Sequence, residues 1–319
     1  MAFQWSRCAG YLAAAITAAS LAACGSSSVE SAFNASRVIA FGDGQSDVGQ
    51  SGSRFTVNGV TERSNWTEEV ASNYGLTVTP ASQGGTSYAW GNTRVLATPD
   101  AAGNANTPTL RDQIGSFLAS NSFNGGDLVL VSGGTSDVIA VAQQALSGAI
   151  TREQAYTDVR RISGELTSQV QRLRENGAQY IVVIGTYNLS KSIWARNIGE
   201  QAFLEGLSKT FNEGFKISME ETTYKPNVLY VDLEQYVNVV SNGPNYYAIN
   251  NMDQPVCNSV DSAAGIGIGA GHVSSALCNL STVVSSSVDQ YGFADEVYLT
   301  PTVQRQFGSW AAGLIRDRW

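Results

Sequence analysis

Charge is scarce in this sequence and histidine is nearly absent. Only 14% of the 319 residues are Asp, Glu, Lys or Arg, and there are one histidine, seven prolines and four cysteines. The 19 basic residues against 27 acidic ones leave a net charge of −8. They form no basic cluster, since the densest charged stretches, "RENGAQ" and "IRDRW", mix signs. Nucleic-acid binding, which needs clustered Lys and Arg against phosphate, is therefore not expected. A single His272 with two spare cysteines does not make a structural zinc site, and no cofactor is expected. After the first 23 residues no segment approaches the ~20 apolar residues that a bilayer span requires.

The first 23 residues read as a signal segment. Arg7 precedes an apolar stretch from Tyr11 to Ala23, shorter than a comfortable span but suited to export. It ends in "LAAC", Leu21 to Cys24, which resembles a bacterial lipobox. The resemblance implies lipidation of Cys24. Gly25 in place of aspartate after it implies the outer membrane. Residues 24–36, small and polar, read as a flexible tether, and residues 37–319 as one domain. Cys8 leaves with the signal and Cys24 is acylated. Cys257 and Cys278 then remain as one pair in an exported protein, which predicts a disulfide. His272 falls inside that loop as an exposed residue.

From Arg37 onward strands alternate with helices, the pattern of a parallel sheet covered on both faces. "RVIAF", "DLVLVS", "QYIVVIG" and "NVLYVDL" read as strands. "WTEEVASNYGL", with Asn65 as N-cap and Gly75 as stop, reads as a helix, as do "LRDQIGSFLAS" and the closing "TVQRQFGSWAAGLIRDR". The strongest helical signal starts at Thr151, which forms a capping-box pattern with Gln154. Ala155, Val159, Ile162, Leu166, Val170 and Leu173 then share one face, and Gly177 ends the run. A further helix is expected from about Gly199 to Glu220. In such a sheet a ligand sits beyond the strand carboxyl ends, near a switch in strand order.

Four short blocks carry a family resemblance. "FGDGQSDVG" follows the first strand; "GGTSYAWGN", "GTSD" and "DEVY" come later in that order, spanning Asp43 to Tyr298. In that order they resemble the four blocks of the GDSL or SGNH ester hydrolases. The resemblance implies a three-layer α/β/α sandwich with a mainly parallel, flavodoxin-like central sheet. In that family a serine attacks an ester carbonyl and a histidine relays its proton, oriented by an aspartate. Carried over, the nucleophile position is Gly44, the base Tyr298, the orienting residue Asp295, and the oxyanion donors Gly91 and Ser136. The Pro-Asp pair the family has after the fourth strand is replaced by "TYN", Thr186 to Asn188.

The resemblance thus implies the family's backbone without its reacting atoms. Losing one triad member leaves only ~10³–10⁴-fold acceleration over water. Losing a side-chain oxyanion donor removes a further ~10²–10³-fold. Tyr298, with an ordinary pKa of about 10, is a poor base near neutrality. Ser46 should face away from the reacting position and cap a following helix. Asp43 with Asp47, and Asp295 with Glu296, read as turn-stabilising or solvated groups. The expectation is a non-catalytic, outer-membrane-anchored lipoprotein that binds an acyl or glycan ligand or an envelope protein, or serves as an assembly subunit. The alternative is an active carboxylic-ester hydrolase using Ser46 or Ser136. Restoring Gly44→Ser, Ser136→Asn and Tyr298→His together is expected to produce esterase activity.

Overall fold

The computed structural model describes residues 33–60, 62–223 and 225–319. The signal segment 1–23, Cys24 and the first part of the tether lie outside the described residues. Of the tether, residues 33–36 belong instead to the folded body. Phe33 is buried, with its ring against Tyr180 at 3.9 Å and edge-on to Tyr74 and Trp319. Its N–H donates to the Trp319 carbonyl at 3.2 Å.

Four strands form one all-parallel sheet in the order β1 (Arg37–Phe41), β2 (Asp127–Ser132), β3 (Tyr180–Ile184) and β4 (Val228–Tyr230). Register runs Ile39 to Val129 and Val129 to Ile181. β2 is buried along its whole length, the signature of a strand covered on both faces. On the free side of β1, Ser87 makes a parallel bridge to Ala40, and the Tyr88 N–H donates to the Ala40 carbonyl at 2.7 Å. The chain therefore leaves β1 to one side, touches that edge, and returns on the other side as β2. The reversal of direction falls between β1 and β2.

Eight α-helices accompany the sheet among the described residues: α1 (Trp66–Ser72), α2 (Leu110–Ser120), α3 (Thr135–Leu146), α4 (Arg152–Glu175), α5 (Ile193–Ile198), α6 (Gln201–Glu220), α7 (Leu233–Asn242) and α8 (Pro301–Arg318). The main helix pairings are α4 with α6, α3 with both of them, and α1 with α8. The six apolar residues read onto one face of α4 are all buried. Asn65 caps α1 as expected, accepting the Thr67 N–H, and Glu68 adds a capping box there. At α4 Thr151 accepts the Gln154 N–H, but the Gln154 side chain turns to Asp158 instead of closing a box. Among the described residues no helix is long and apolar enough to cross a membrane.

Three readings change. Gly199 does not open α6; at φ 70° it is the left-handed cap that ends α5, a conformation glycine adopts without Cβ strain. The expected strand "NVLYVDL" is ordered as strand only over Val228–Tyr230, because Asp232 turns the chain by accepting the Gln235 N–H and starting α7. No helix follows Ser46, so that residue caps nothing.

Cys257 and Cys278 form the expected disulfide. With Val57, Val256, Val288 and Ala294 they make a small satellite core. Ile266 and Ile268 of the enclosed loop pack into the main core.

Candidate functional site

The site is built at the carboxyl ends of β1 and β2, where the strand order reverses. Gly42 follows β1 at φ 139°, and a Cβ there would lie 2.2 Å from the Ser132 Oγ. Only bare backbone passes this close to β2. Gln113 of α2 clamps the same residue, accepting the Gly42 N–H at 2.8 Å through Oε1 and donating from Nε2 to its carbonyl at 2.9 Å. Ser132, the last residue of β2, accepts the Asp43 N–H at 3.1 Å and donates to Asp43 Oδ1 at 2.9 Å.

The aspartates of this turn hold backbone, as expected for turn-stabilising groups. Asp43 accepts the Gln45 N–H at 3.1 Å. Burial pushes its pKa up, opposed by Ser132 and by the backbone N–H groups of Gln45, Thr135 and Ser136. Asp47 accepts from Gly49 and Gln50 through Oδ1 and from the Gly91 N–H at 2.8 Å through Oδ2. Burial raises Asp47 to about 6 despite these bonds. The N–H that the resemblance assigns to an oxyanion is thereby already committed to a carboxylate.

Ser46 is fully buried and accepts the Trp66 indole N–H at 3.0 Å. Gln45 joins the turn to α8, its Oε1 accepting from Gln304 at 3.2 Å. Asp137, in the first turn of α3, accepts the Val95 N–H at 3.0 Å and lies 3.4 Å from the Arg94 Nε. Burial still dominates and raises it to about 7.

Gly44, Ser136 and Tyr298 converge. A Cβ on Gly44 would lie 2.8 Å from Tyr298 Cε1 and 2.9 Å from Phe55 Cγ. The Tyr298 and Phe55 rings meet edge to face at 5.0 Å and 74°. A Cβ on Gly91 would fall 1.7 Å from Phe55 Cε2, so this ring lies directly over Gly91 as well. Tyr298 is fully buried. Its hydroxyl neighbours that of Ser136, yet neither closes a well-formed hydrogen bond. Burial, with Asp43 nearby, drives the Tyr298 pKa well above 10, so the phenol stays neutral and takes up no proton.

Asp295 serves the same corner from beneath. Its Oδ1 accepts the N–H groups of Val297 and Tyr298 at 2.7 and 2.6 Å, and its Oδ2 accepts that of Ser275 at 2.9 Å. It orients the backbone around residue 298 rather than a side chain, and burial raises it to about 6. Glu296 is not a solvated partner of Asp295. It is buried, accepting from Asn197 at 3.1 Å and pairing with His272 Nδ1 at 2.9 Å. His272 is therefore half-buried and held, not a free loop side chain.

All five positions carried over from the resemblance line one place, but the place is full. The pedestal at Gly44 lies under two aromatic rings, with no side chain at position 44, a tyrosine rather than a histidine at 298, and the Gly91 N–H held by Asp47. With Tyr298 replaced, a Cβ at position 44 would still come within 2.9 Å of Phe55 Cγ. The sequence offered no signal for Phe55, an apolar residue in an irregular segment. Gln113 was readable only as a polar residue on the buried face of α2. Among the described residues no group of three or more His, Cys, Asp or Glu is placed to hold a metal ion. Comparison with known proteins matches the chain to no family model and to no curated protein.

Proposed function

We propose that this chain is a lipid-anchored outer-membrane protein on the SGNH hydrolase plan that has given up catalysis and acts by binding a ligand or an envelope protein. The observation that carries this reading is the closure over Gly44 by Phe55 and Tyr298. A strand order that, counting the Ser87 edge, follows the flavodoxin-like pattern supports the plan. The convergence of Gly44, Gly91, Ser136, Asp295 and Tyr298 at the switch point supports it further. Nothing favours the active alternative: Ser46 is bonded to Trp66, and neither Ser46 nor Ser136 is hydrogen-bonded to a histidine or carboxylate side chain.

A fluorophosphonate probe tests the reading, since it labels an activated serine stoichiometrically. The purified chain should remain unlabelled and leave short acyl esters at the buffer rate. Stoichiometric labelling or saturable turnover would overturn it. The anchor is tested separately through Cys24→Ala, which should move the protein from the membrane fraction to the soluble fraction and abolish palmitate incorporation. Retention in the membrane would remove the lipid from the proposal.

A further inference from the structure

A second feature shares no residue with the closed site. After β3 the chain makes a short 3-10 turn, Leu189–Lys191, and then α5, and Gly199 ends α5 just before α6 begins. Between these elements and the loop at Met252 and Asp253 lies a cavity of about 340 Å³. Its lining carries two cations, Lys191 and Arg196, and one carboxylate, Asp253, whose side chain is 89% exposed.

Arg196 is held in place by backbone. Its Nη1 donates to the Lys191 carbonyl at 2.7 Å and its Nη2 to the Met252 carbonyl at 2.6 Å. Two of the five guanidinium N–H donors are used in this way and three remain. Asp253 stands 3.9 Å off, beyond hydrogen-bond distance, and leaves them open. Lys191 is half-buried, and among the described residues its ammonium has no hydrogen-bond or ion-pair partner. Ser190 is only 8% exposed and lines the same cavity. Its hydroxyl also has no partner among the described residues, and unlike that of Ser241 it is not sealed from the cavity.

A fourth kind of donor comes from α6. Gln201, its first residue, lines the cavity, and the helix opens with no side-chain cap and no acidic residue in its first turn. The preceding Glu200 does not compensate, because Arg152 occupies both its carboxylate oxygens at 3.0 and 2.7 Å. The free N–H groups and the positive dipole end of a 20-residue helix therefore border the same space.

We infer that this cavity binds a terminal phosphate group. Such a group brings three strong acceptor oxygens and about −1.5 to −2 charge, which an ammonium, a guanidinium, a hydroxyl and helix N–H groups share between them. A carboxylate has two oxygens for the same donors, a neutral ligand leaves the ammonium unpaired, and a cation is repelled. Free phosphate and the phosphomonoester headgroup of a lipid present the same chemistry. The site lies apart from the closed one and goes beyond the reading above, and it needs neither the lipid anchor nor the loss of catalysis.

Titration calorimetry on the full-length chain in a non-ionic detergent, at about 0.15 M salt, tests it with inorganic phosphate and with glycerol 3-phosphate. At least one should bind saturably with a Kd below about 1 mM, and acetate at least about tenfold more weakly. Tighter inorganic phosphate makes the free anion the ligand and tighter glycerol 3-phosphate the headgroup, and either result supports the site. Lys191→Gln, at a side chain with no protein partner, should weaken binding about tenfold with its Tm unchanged. Asp253→Asn, at an exposed position, should tighten it about twofold. Absence of saturable binding by both phosphates overturns the inference, as does acetate binding equally well. Affinity unchanged in Lys191→Gln, or weakened in Asp253→Asn, overturns it too. Fluorophosphonate labelling fails or succeeds independently, so the two readings fall separately.

Discussion

If Phe55 fills the space in front of Gly44, then substitutions at the two positions must be coupled. Gly44→Ser places a Cβ under 3.0 Å from both the Phe55 and Tyr298 rings, and both are buried. Overpacking of this kind costs about 1–3 kcal/mol. Phe55→Ala removes a ring that is 7% exposed and leaves a cavity, costing about 3–5 kcal/mol. In the double variant the serine enters space the ring has vacated. Its cost should therefore fall short of the sum by about 1–2 kcal/mol. Urea unfolding at constant m reads the difference from the midpoints. Gly164→Ala, at a helical glycine with nothing within 4 Å, is the control and should add to Phe55→Ala within about 0.5 kcal/mol. A Gly44–Phe55 coupling as small as the control's would refute the closed site. Activity follows the same logic: Gly44→Ser, Ser136→Asn and Tyr298→His together should show no turnover with Phe55 present. Ester hydrolysis should rise above buffer only when Phe55→Ala is added.

The buried carboxyls predict a pH dependence. Asp47 and Asp295 are raised from 3.8 to about 6 and Asp137 to about 7, so between pH 4 and 7 the folded state binds more protons than the unfolded chain. Their contribution to stability is full below 3.8 and is lost as pH rises through the folded values. The urea midpoint should fall from pH 5 to pH 8, less steeply in Asp137→Asn, and a midpoint rising with pH would contradict the assignment. Gln113→Leu leaves the Gly42 N–H without a partner, while its carbonyl keeps the Trp90 N–H at 3.0 Å, and should cost about 1–3 kcal/mol by the same unfolding measurement. An effect under about 0.5 kcal/mol would mean that the clamp is not formed. Reducing the Cys257–Cys278 disulfide opens a loop of sequence separation 21 and should cost about 3 kcal/mol, read as a lowered Tm in dithiothreitol. An unchanged Tm with both thiols titratable would exclude a stabilising role.

Much of the frame was readable because it depends on local pattern. β2 and α2 fall on their expected residues, and α4 has its expected cap and apolar face, since periodicity, caps and apolar runs act within a few residues. α3 was concealed by its own chemistry. "GTSD" draws attention as a motif, although Val138, Ile139, Val141 and Ala142 mark a buried helical face behind it. α7 was equally concealed by the preceding strand, despite an Asp232 cap and apolar residues at 233, 236, 237 and 240. The site was legible as a set of positions, because glycines and aspartates around turns keep recognisable spacings. What fills it was not. Phe55 reaches Gly44 and Gly91 through tertiary packing, which no spacing encodes, and Asp47 takes the Gly91 N–H across 44 residues of chain. His272 shows the same limit, since its partner Glu296 lies 24 residues away.

The ring over Gly91 and Gly44 also governs how this sequence can change. With Phe55 in place, neither glycine has room for a side chain, so serine at position 44 carries an overpacking cost whatever its hydroxyl could do. Loss of Phe55 opens a costly void, and a Cβ at position 44 would still meet Tyr298 Cε1 at 2.8 Å. Opening the site by way of Gly44→Ser or Phe55→Ala alone therefore costs stability at the first step. Deep mutational scanning would register this as three positions whose tolerances depend on one another.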